Sequence, residues 1–463
     1  MNLATELYGY AAFFIVVPTW LVCSAFLRSR RHLCTTINAL LMGLVPFMGF
    51  SSLAFAWTAD DVQIPYANYK TIHFWKMAGS MLLFLAMLLL AYSKARAPRG
   101  VREFLGRKPN YTPWQPVMVT IIGAVVAIFC LLPQLNITIP VVSQIMIRCL
   151  SSASVFAGIF SFAVWWRDRS NPVAIGLFAG VFAFSVILAV TVGVTRRPLL
   201  GVLLAIGVVI YWSTYQRVSR VRMLATLGVL ILGAMVVLNA YSTIRTRSLG
   251  HAVKGANAIE RGIYKIRRAS ESLGHVGEFD AKMVSELGQN ATNASLYSIY
   301  LSENMASRDR FSGLDYPSYL HSTLYVIANP IPRVFWKDKP LSLGYMLARY
   351  KFPFAKVTWG PGLAGHFYHE GGMIVAAFYG LLLGTLLKWV DEVIVSDPDN
   401  LFLKGLFAAM VPQLLLLPRG DLGNAMLNIA FCFVTFWVIR FLAMRTYGLH
   451  VPDVLSRQEL QPV

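Results

Sequence analysis

The chain has 463 residues, 56% of them hydrophobic and only 14% charged, with a mean hydropathy of +0.57 and a formal net charge of +19. Several apolar stretches reach the roughly 20 residues that span about 30 Å of hydrocarbon, whereas a membrane barrel would show short alternating strands. The composition therefore excludes a water-soluble enzyme and predicts an all-α polytopic membrane protein, with the positive charge read as the bias of short cytoplasmic loops rather than as a nucleic-acid surface.

In chain order, the apolar runs predict about eleven spans, at 7–27, 36–56, 72–92, 117–137, 142–166, 172–194, 198–216, 223–243, 372–390, 401–417 and 425–444. The start, MNLATELYG, lacks a basic n-region, and no small-residue cleavage site follows the first span, so no cleaved signal peptide is expected. Basic loops follow spans one (RSRRH, 28–32), three (KARAPRGVREFLGRK, 94–108), five (RDR, 167–169) and seven (RVSRVR, 217–222). Lys and Arg mark cytoplasmic loops, which puts the N-terminus outside and the C-terminus inside. The loop 391–400, DEVIVSDPDN, falls on the cytoplasmic side although it is acidic. The chain divides into 1–243 with spans one to eight, a large external segment 244–371, and 372–463 with the last three spans and a cytoplasmic tail.

This orientation places several arginines outside: Arg196 and Arg197 (VTRRP), Arg245 and Arg247 (STIRTRS), and Arg419 (LPRGD). Short external loops usually avoid arginine, so three such loops point to a shared anionic ligand. The bland alternative is snorkelling to lipid phosphates. Arg148, one to two turns inside the outer end of span five, is expensive against lipid and is expected to face a polar cavity. The five cysteines lie in or beside spans without a CxxC or His/Cys cluster, so neither a disulfide framework nor a metal site is expected.

Within the external segment, ANAIERGIYKIRRASESLG (256–274) predicts an amphipathic helix at the membrane surface. PSYLHSTLYVIANPIP (317–332) predicts a short helix stopped by Asn-Pro. IPRVFWKDKP (331–340) carries Arg333, Lys337 and Lys339 for phosphate and Trp336 for stacking on a sugar or prenyl chain. GPGLAG (360–365) matches a dinucleotide-binding fingerprint by letter, but it follows no strand, so its glycines are read as allowing close backbone packing. In HFYHEGG (366–372), His366 and Glu370 are i,i+4 and share a face if helical, whereas His369 points elsewhere. A histidine here is a candidate general base at neutral pH.

The element Ile331 to Gly344, of the form IPR-x-x-W-x-x-KP-x-S-x-G, is followed by a glycine-rich run into span nine with small residues four apart through Gly380 and Gly384. Together with the Arg-Arg turn between mid-chain spans and the large late external loop, it resembles the bacterial O-antigen and oligosaccharide repeat-unit polymerases of the Wzy type, over about residues 170–445. Many of those relatives carry Glu-x-Tyr where this chain has His366-Phe367-Tyr368, and the histidine is similar to the one in the related O-antigen ligases. The resemblance implies a GT-C-like fold in the bacterial inner membrane with its active site facing the periplasm. It also implies an inverting glycan transfer that needs neither metal nor cofactor. Undecaprenyl-pyrophosphate-linked oligosaccharide would be donor and acceptor, membrane lipids would surround it, and a chain-length regulator would be a further partner. On that reading Arg148, Arg196, Arg197, Arg245, Arg247, Arg333, Lys337, Lys339 and Arg419 hold pyrophosphate. Trp336, Trp359 and Tyr368 pack on sugar, and His366, with Glu370 as second choice, takes the acceptor proton. Two rivals stand beside it: a different lipid-dependent glycosyltransferase with Asp60 or Asp61 as base, and a flippase using the arginines as a vestibule.

Overall fold

The computed structural model describes residues 3–58, 71–109, 115–135, 142–191, 197–216, 218–222, 225–226, 292–300, 303, 319–331, 335–351, 360–447 and 449–450. Numbered through these residues, the helices begin with α1 (Leu3–Arg28) and α2 (Thr36–Leu44), which passes through a π-helical turn (Val45–Phe50) into α3 (Ser51–Thr58). They continue with α4 (Thr71–Lys94), α5 (Arg99–Gly106), α6 (Gln115–Leu131), α7 (Val142–Arg167), α8 (Pro172–Thr191) and α9 (Arg197–Thr214). After them come α10 (292–300), α11 (His321–Ala328), α12 (Leu343–Lys351), α13 (Gly362–Glu370), α14 (Met373–Ser396), α15 (Leu401–Leu415) and α16 (Leu422–Tyr447).

Among the described residues, six stretches are long and apolar enough to cross a membrane: Thr5–Arg28, Thr36–Trp57, Thr71–Lys94, Ile145–Arg167, Met373–Ser396 and Leu422–Thr446. Val117–Leu131, Pro172–Leu188, Leu200–Thr214 and Leu401–Leu415 are shorter apolar helices. The chain is thus an all-α polytopic membrane protein. These six and four stretches coincide with ten of the eleven expected from sequence; the remaining one, 223–243, lies almost wholly outside the described residues, as does the expected helix 256–274. Val16, Trp20, Leu27, Trp57 and Ile374 are exposed on the outside of the bundle, where hydrocarbon is the matching solvent.

One end of the bundle gathers the basic loops. The carboxylate of Asp391 accepts the first free N–H groups of α2, from Thr36 at 2.6 Å and Ile37 at 3.2 Å, and the Tyr92 hydroxyl at 3.0 Å. A helix N-terminus presents unpaired donors and positive partial charge, which a buried carboxylate satisfies. Glu392 accepts from Arg102 at 2.5 Å and from the Ala97 N–H at 3.0 Å. The buried Arg440 donates to the Phe104 carbonyl and lies against the Phe104 and Phe436 rings. The acidic stretch therefore sits with the basic loops because it pairs with them. Asp391 and Glu392 are also in helix rather than loop, since α14 runs six residues past the expected end at 390.

Helix α14 crosses α4 closely at two glycines. A Cβ at Gly384 would stand 2.3 Å from the Leu88 carbonyl oxygen, and one at Gly380 would stand 2.6 Å from that of Phe84. Small residues four apart let two backbones meet in this way. Gly384→Leu forces rigid backbone apart and is expected to destabilise by about 1–3 kcal/mol, read as a lower melting midpoint in detergent. An unchanged midpoint would show that this crossing is not tight.

Candidate functional site

The opposite end of the bundle is organised by α13 and two turns around it. Gly362 (φ +70°) lets the chain enter α13 against α10 and the loop after α15; a Cβ there would meet the Ser295 hydroxyl at 2.6 Å. Ser295 donates to the Pro361 carbonyl at 2.9 Å and Ser298 to that of Gly365 at 3.2 Å, while the Leu363 N–H reaches Pro418 O at 3.2 Å. The GPGLAG glycines are thus packing glycines, as expected. At the other end Gly371 (φ +139°) and Gly372 (φ +71°) stop α13, and Gly372 N–H returns to Phe367 O at 2.7 Å. HFYHE is therefore a separate short helix beside α14, not the first turns of the span.

His366 and Glu370 do share a face. His366 Nδ1 lies 2.9 Å from Glu370 Oε1, and both side chains are fully buried. The other ring nitrogen, Nε2, accepts the Leu422 N–H at 3.0 Å. That donor is the first N–H of α16 and would otherwise be unpaired. Because Nε2 accepts, the ring proton is on Nδ1 and goes to Glu370. Asp421 caps the same helix through Asn424 N–H at 2.8 Å, receives Gly344 N–H at 2.7 Å, and stands 4.0 Å from His366 Nε2.

Glu370 is the hub. It accepts from Ser322 N–H at 3.0 Å, the Ser322 hydroxyl at 2.5 Å and the Tyr379 hydroxyl at 2.8 Å; Tyr379 also meets Thr323 at 3.1 Å. Burial pushes its carboxyl up, but the His366 and Ser322 contacts outweigh it and hold the group below its ordinary value. Ser322 lies 3.1 Å from His366 Nδ1, the nitrogen that already faces Glu370, so the three do not form a nucleophile–base–orienter relay. Nearby His321 is buried, places Nε2 2.7 Å from the Leu341 carbonyl, and is pushed down to about 4 by burial, so it is neutral at pH 7. His369, on another face of α13, is also buried.

The cations expected to hold phosphate reach this end in different ways. Arg419 follows α15 and lies with its guanidinium carbon 6.0 Å from the Phe47 ring centre. Arg148 is half-buried on α7. Phe160 of that helix meets Phe402 at the Asp391 end, 5.4 Å between rings, so Arg148, about 18 Å back along the axis, lies toward the His366 end. Arg197 begins α9, whose far half brings Tyr211 to Leu33 and Cys34 beside the basic loops, so its start is also at the His366 end. Lys337 and Trp336 are exposed. Lys339 is buried instead and donates to the Asn329 and Ile331 carbonyls at 3.0 and 2.8 Å, which closes the C-terminus of α11. Asn329 does stop that helix, as its Asn-Pro predicts. Arg196, Arg245, Arg247, Arg333, Trp359, Asp60 and Asp61 lie outside the described residues.

Sequence reasoning missed Ser322, Tyr379 and Asp421, which reach His366 and Glu370 only through tertiary packing. It also missed a second cluster, His73, Lys76 and Glu303 beside Tyr368, in which Glu303 lies 2.7 Å from Lys76 Nζ and 3.3 Å from His73 Nε2. Among the described residues no three His, Cys, Asp or Glu side chains are placed to hold a metal ion. Compared with known proteins, the chain matches no family model, no curated protein and no solved structure. Fold and site together define a polytopic helical membrane protein with one end tied by basic loops and the other built around a buried histidine–carboxylate hub.

Proposed function

We propose that the protein is a lipid-dependent glycosyltransferase that joins undecaprenyl-pyrophosphate-linked oligosaccharide repeat units at the outer face of the bacterial inner membrane, as an inverting, metal-independent polymerase on a GT-C-like fold. The observation that carries the reading is the gathering of Arg148, Arg419 and the start of α9 at Arg197 toward one end of the bundle, together with the element Ile331 to Gly344, whose sequence resembles the polymerases. The end tied by Arg102, Arg440 and their neighbours is cytoplasmic on this reading, since Lys and Arg mark inner loops. A departing lipid pyrophosphate gains negative charge in the transition state. Fixed guanidiniums near the headgroup level stabilise that charge without a metal. The chain needs no acid at the leaving group and only one base at the acceptor hydroxyl.

The test is purification in detergent followed by incubation with undecaprenyl-pyrophosphate-linked oligosaccharide. A ladder of products is expected. A single addition to a lipid A-core acceptor identifies a ligase instead, and the absence of any new glycosidic bond favours a flippase.

A further inference from the structure

His366 and Glu370 form the scaffold of the proposed site but offer a substrate little. Both side chains are fully buried, both histidine nitrogens are engaged, and Glu370 holds donors from Ser322, Tyr379 and His366. For His366 to take a proton at Nε2, the bond from Leu422 N–H must first open. On the flank of α13 stands a carboxylate without that requirement. Glu303 is 27% exposed at its side chain, its Oε1 is 2.7 Å from Lys76 Nζ, and its Oε2 is 3.3 Å from His73 Nε2. His73 and Lys76 lie one turn apart at the start of α4, whose last turn, at Lys94, reaches the basic-loop end; the pair is thus at the same end as His366. Lys76 Nζ is also 5.3 Å from the centre of the Tyr368 ring on α13, and the His73 ring meets Tyr300 of α10 edge-on at 5.7 Å.

We infer that Glu303 is the general base for the acceptor hydroxyl, in a sugar subsite completed by Lys76, His73 and the Tyr368 face. The inference rests on the glycosyl-transfer reading. A carboxylate offers about four lone-pair sites, so among the described residues Lys76 and His73 fix its orientation and leave sites for a sugar hydroxyl. Tyr368, half-buried beside Lys76, offers a pyranose the exposed part of its ring for packing C–H surface, and Lys76 donates to neighbouring hydroxyls. In the step itself, Glu303 takes the acceptor O–H proton as that oxygen bonds to the donor's anomeric carbon. The bond from that carbon to the pyrophosphate oxygen breaks, and its electron pair leaves with the pyrophosphate. The proton remains on Glu303 until it passes to water.

The experiment uses the purified full chain, lipid-linked repeat as donor and a soluble repeat-unit oligosaccharide as acceptor. Glu303→Ala is expected to lose at least about 100-fold in kcat with acceptor binding little changed, and added formate, a small external base, is expected to restore turnover. Tyr368→Ala is expected to raise the acceptor KM and leave kcat nearly unaltered. If Glu303→Ala does not fold, the isosteric Glu303→Gln gives the same reading without rescue. Near-normal turnover in either Glu303 variant overturns the inference, as does loss of turnover in Glu303→Ala that formate does not relieve. A wild-type protein that forms no glycosidic bond defeats the glycosyl-transfer reading instead, whatever the variants do.

Discussion

Glu370→Ala is expected to loosen the whole His366 end of the bundle. In the folded protein one carboxylate receives the Ser322 N–H, the Ser322 hydroxyl, the Tyr379 hydroxyl and the His366 Nδ1–H. These donors come from α11, α13 and α14, so the carboxylate ties three helices at one point. Alanine strands several buried donors at once, although Tyr379 keeps a partner in Thr323 and His366 Nδ1 keeps one in the Ser322 hydroxyl. Leaving a buried donor unsatisfied typically costs about 1–3 kcal/mol, and the melting midpoint in detergent should fall accordingly. Glu370→Gln should fall less, because its amide oxygen still accepts from Ser322 and Tyr379. The effect has a pH sign. Glu370 is held below its ordinary value, so its stabilisation is present above that ordinary value and is lost as pH falls through the folded one. The gap between wild type and the alanine variant should therefore shrink in acid. An unchanged midpoint with lost turnover would make Glu370 a reacting group rather than a tie.

Local chemistry was legible in the chain, and long-range pairing was not. Span positions follow from hydrophobic length, and α2, α4, α7 and α9 begin within about a residue of where their apolar runs predict. The His366–Glu370 contact is an i,i+4 consequence of helical geometry, readable without a partner. The break at Gly371–Gly372 coincides with the expected start of the span at 372, and what the letters left open was whether the segment before it is helical. Lys339 illustrates the opposite failure. A lysine in a basic, aromatic stretch suggests phosphate, yet this one folds back on the carbonyls of Asn329 and Ile331, a choice set by the turn rather than by composition. Glu303 is remote in sequence from His73 and Lys76, and no periodic pattern connects positions that far apart.

Arg148→Ala and Arg197→Ala are expected to abolish long-chain glycan while the protein still inserts and melts as wild type. Arg148 sits half-buried in the half of its span nearer the His366 end, where a guanidinium without function is disfavoured by roughly 2.5–3.5 kcal/mol at the most apolar depth. Its retention there is explained if an anion meets it. Arg197 begins a helix at the same end, and Arg196 precedes it in sequence. A preorganised donor aimed at developing charge contributes about 10²–10³ in turnover, so each alanine variant should lose that much in kcat for the lipid-linked repeat. Lysine should restore only part of the rate, because a point charge cannot reproduce the two-pronged grip of a guanidinium on phosphate. The measurement is polymer length in cells, checked by turnover of the purified variants. Wild-type polymer length in both alanine variants would return these residues to lipid-phosphate anchors. A matching fall in melting midpoint would instead make them structural. Loss of turnover with an unmoved midpoint leaves transition-state charge as the physical quantity they act on.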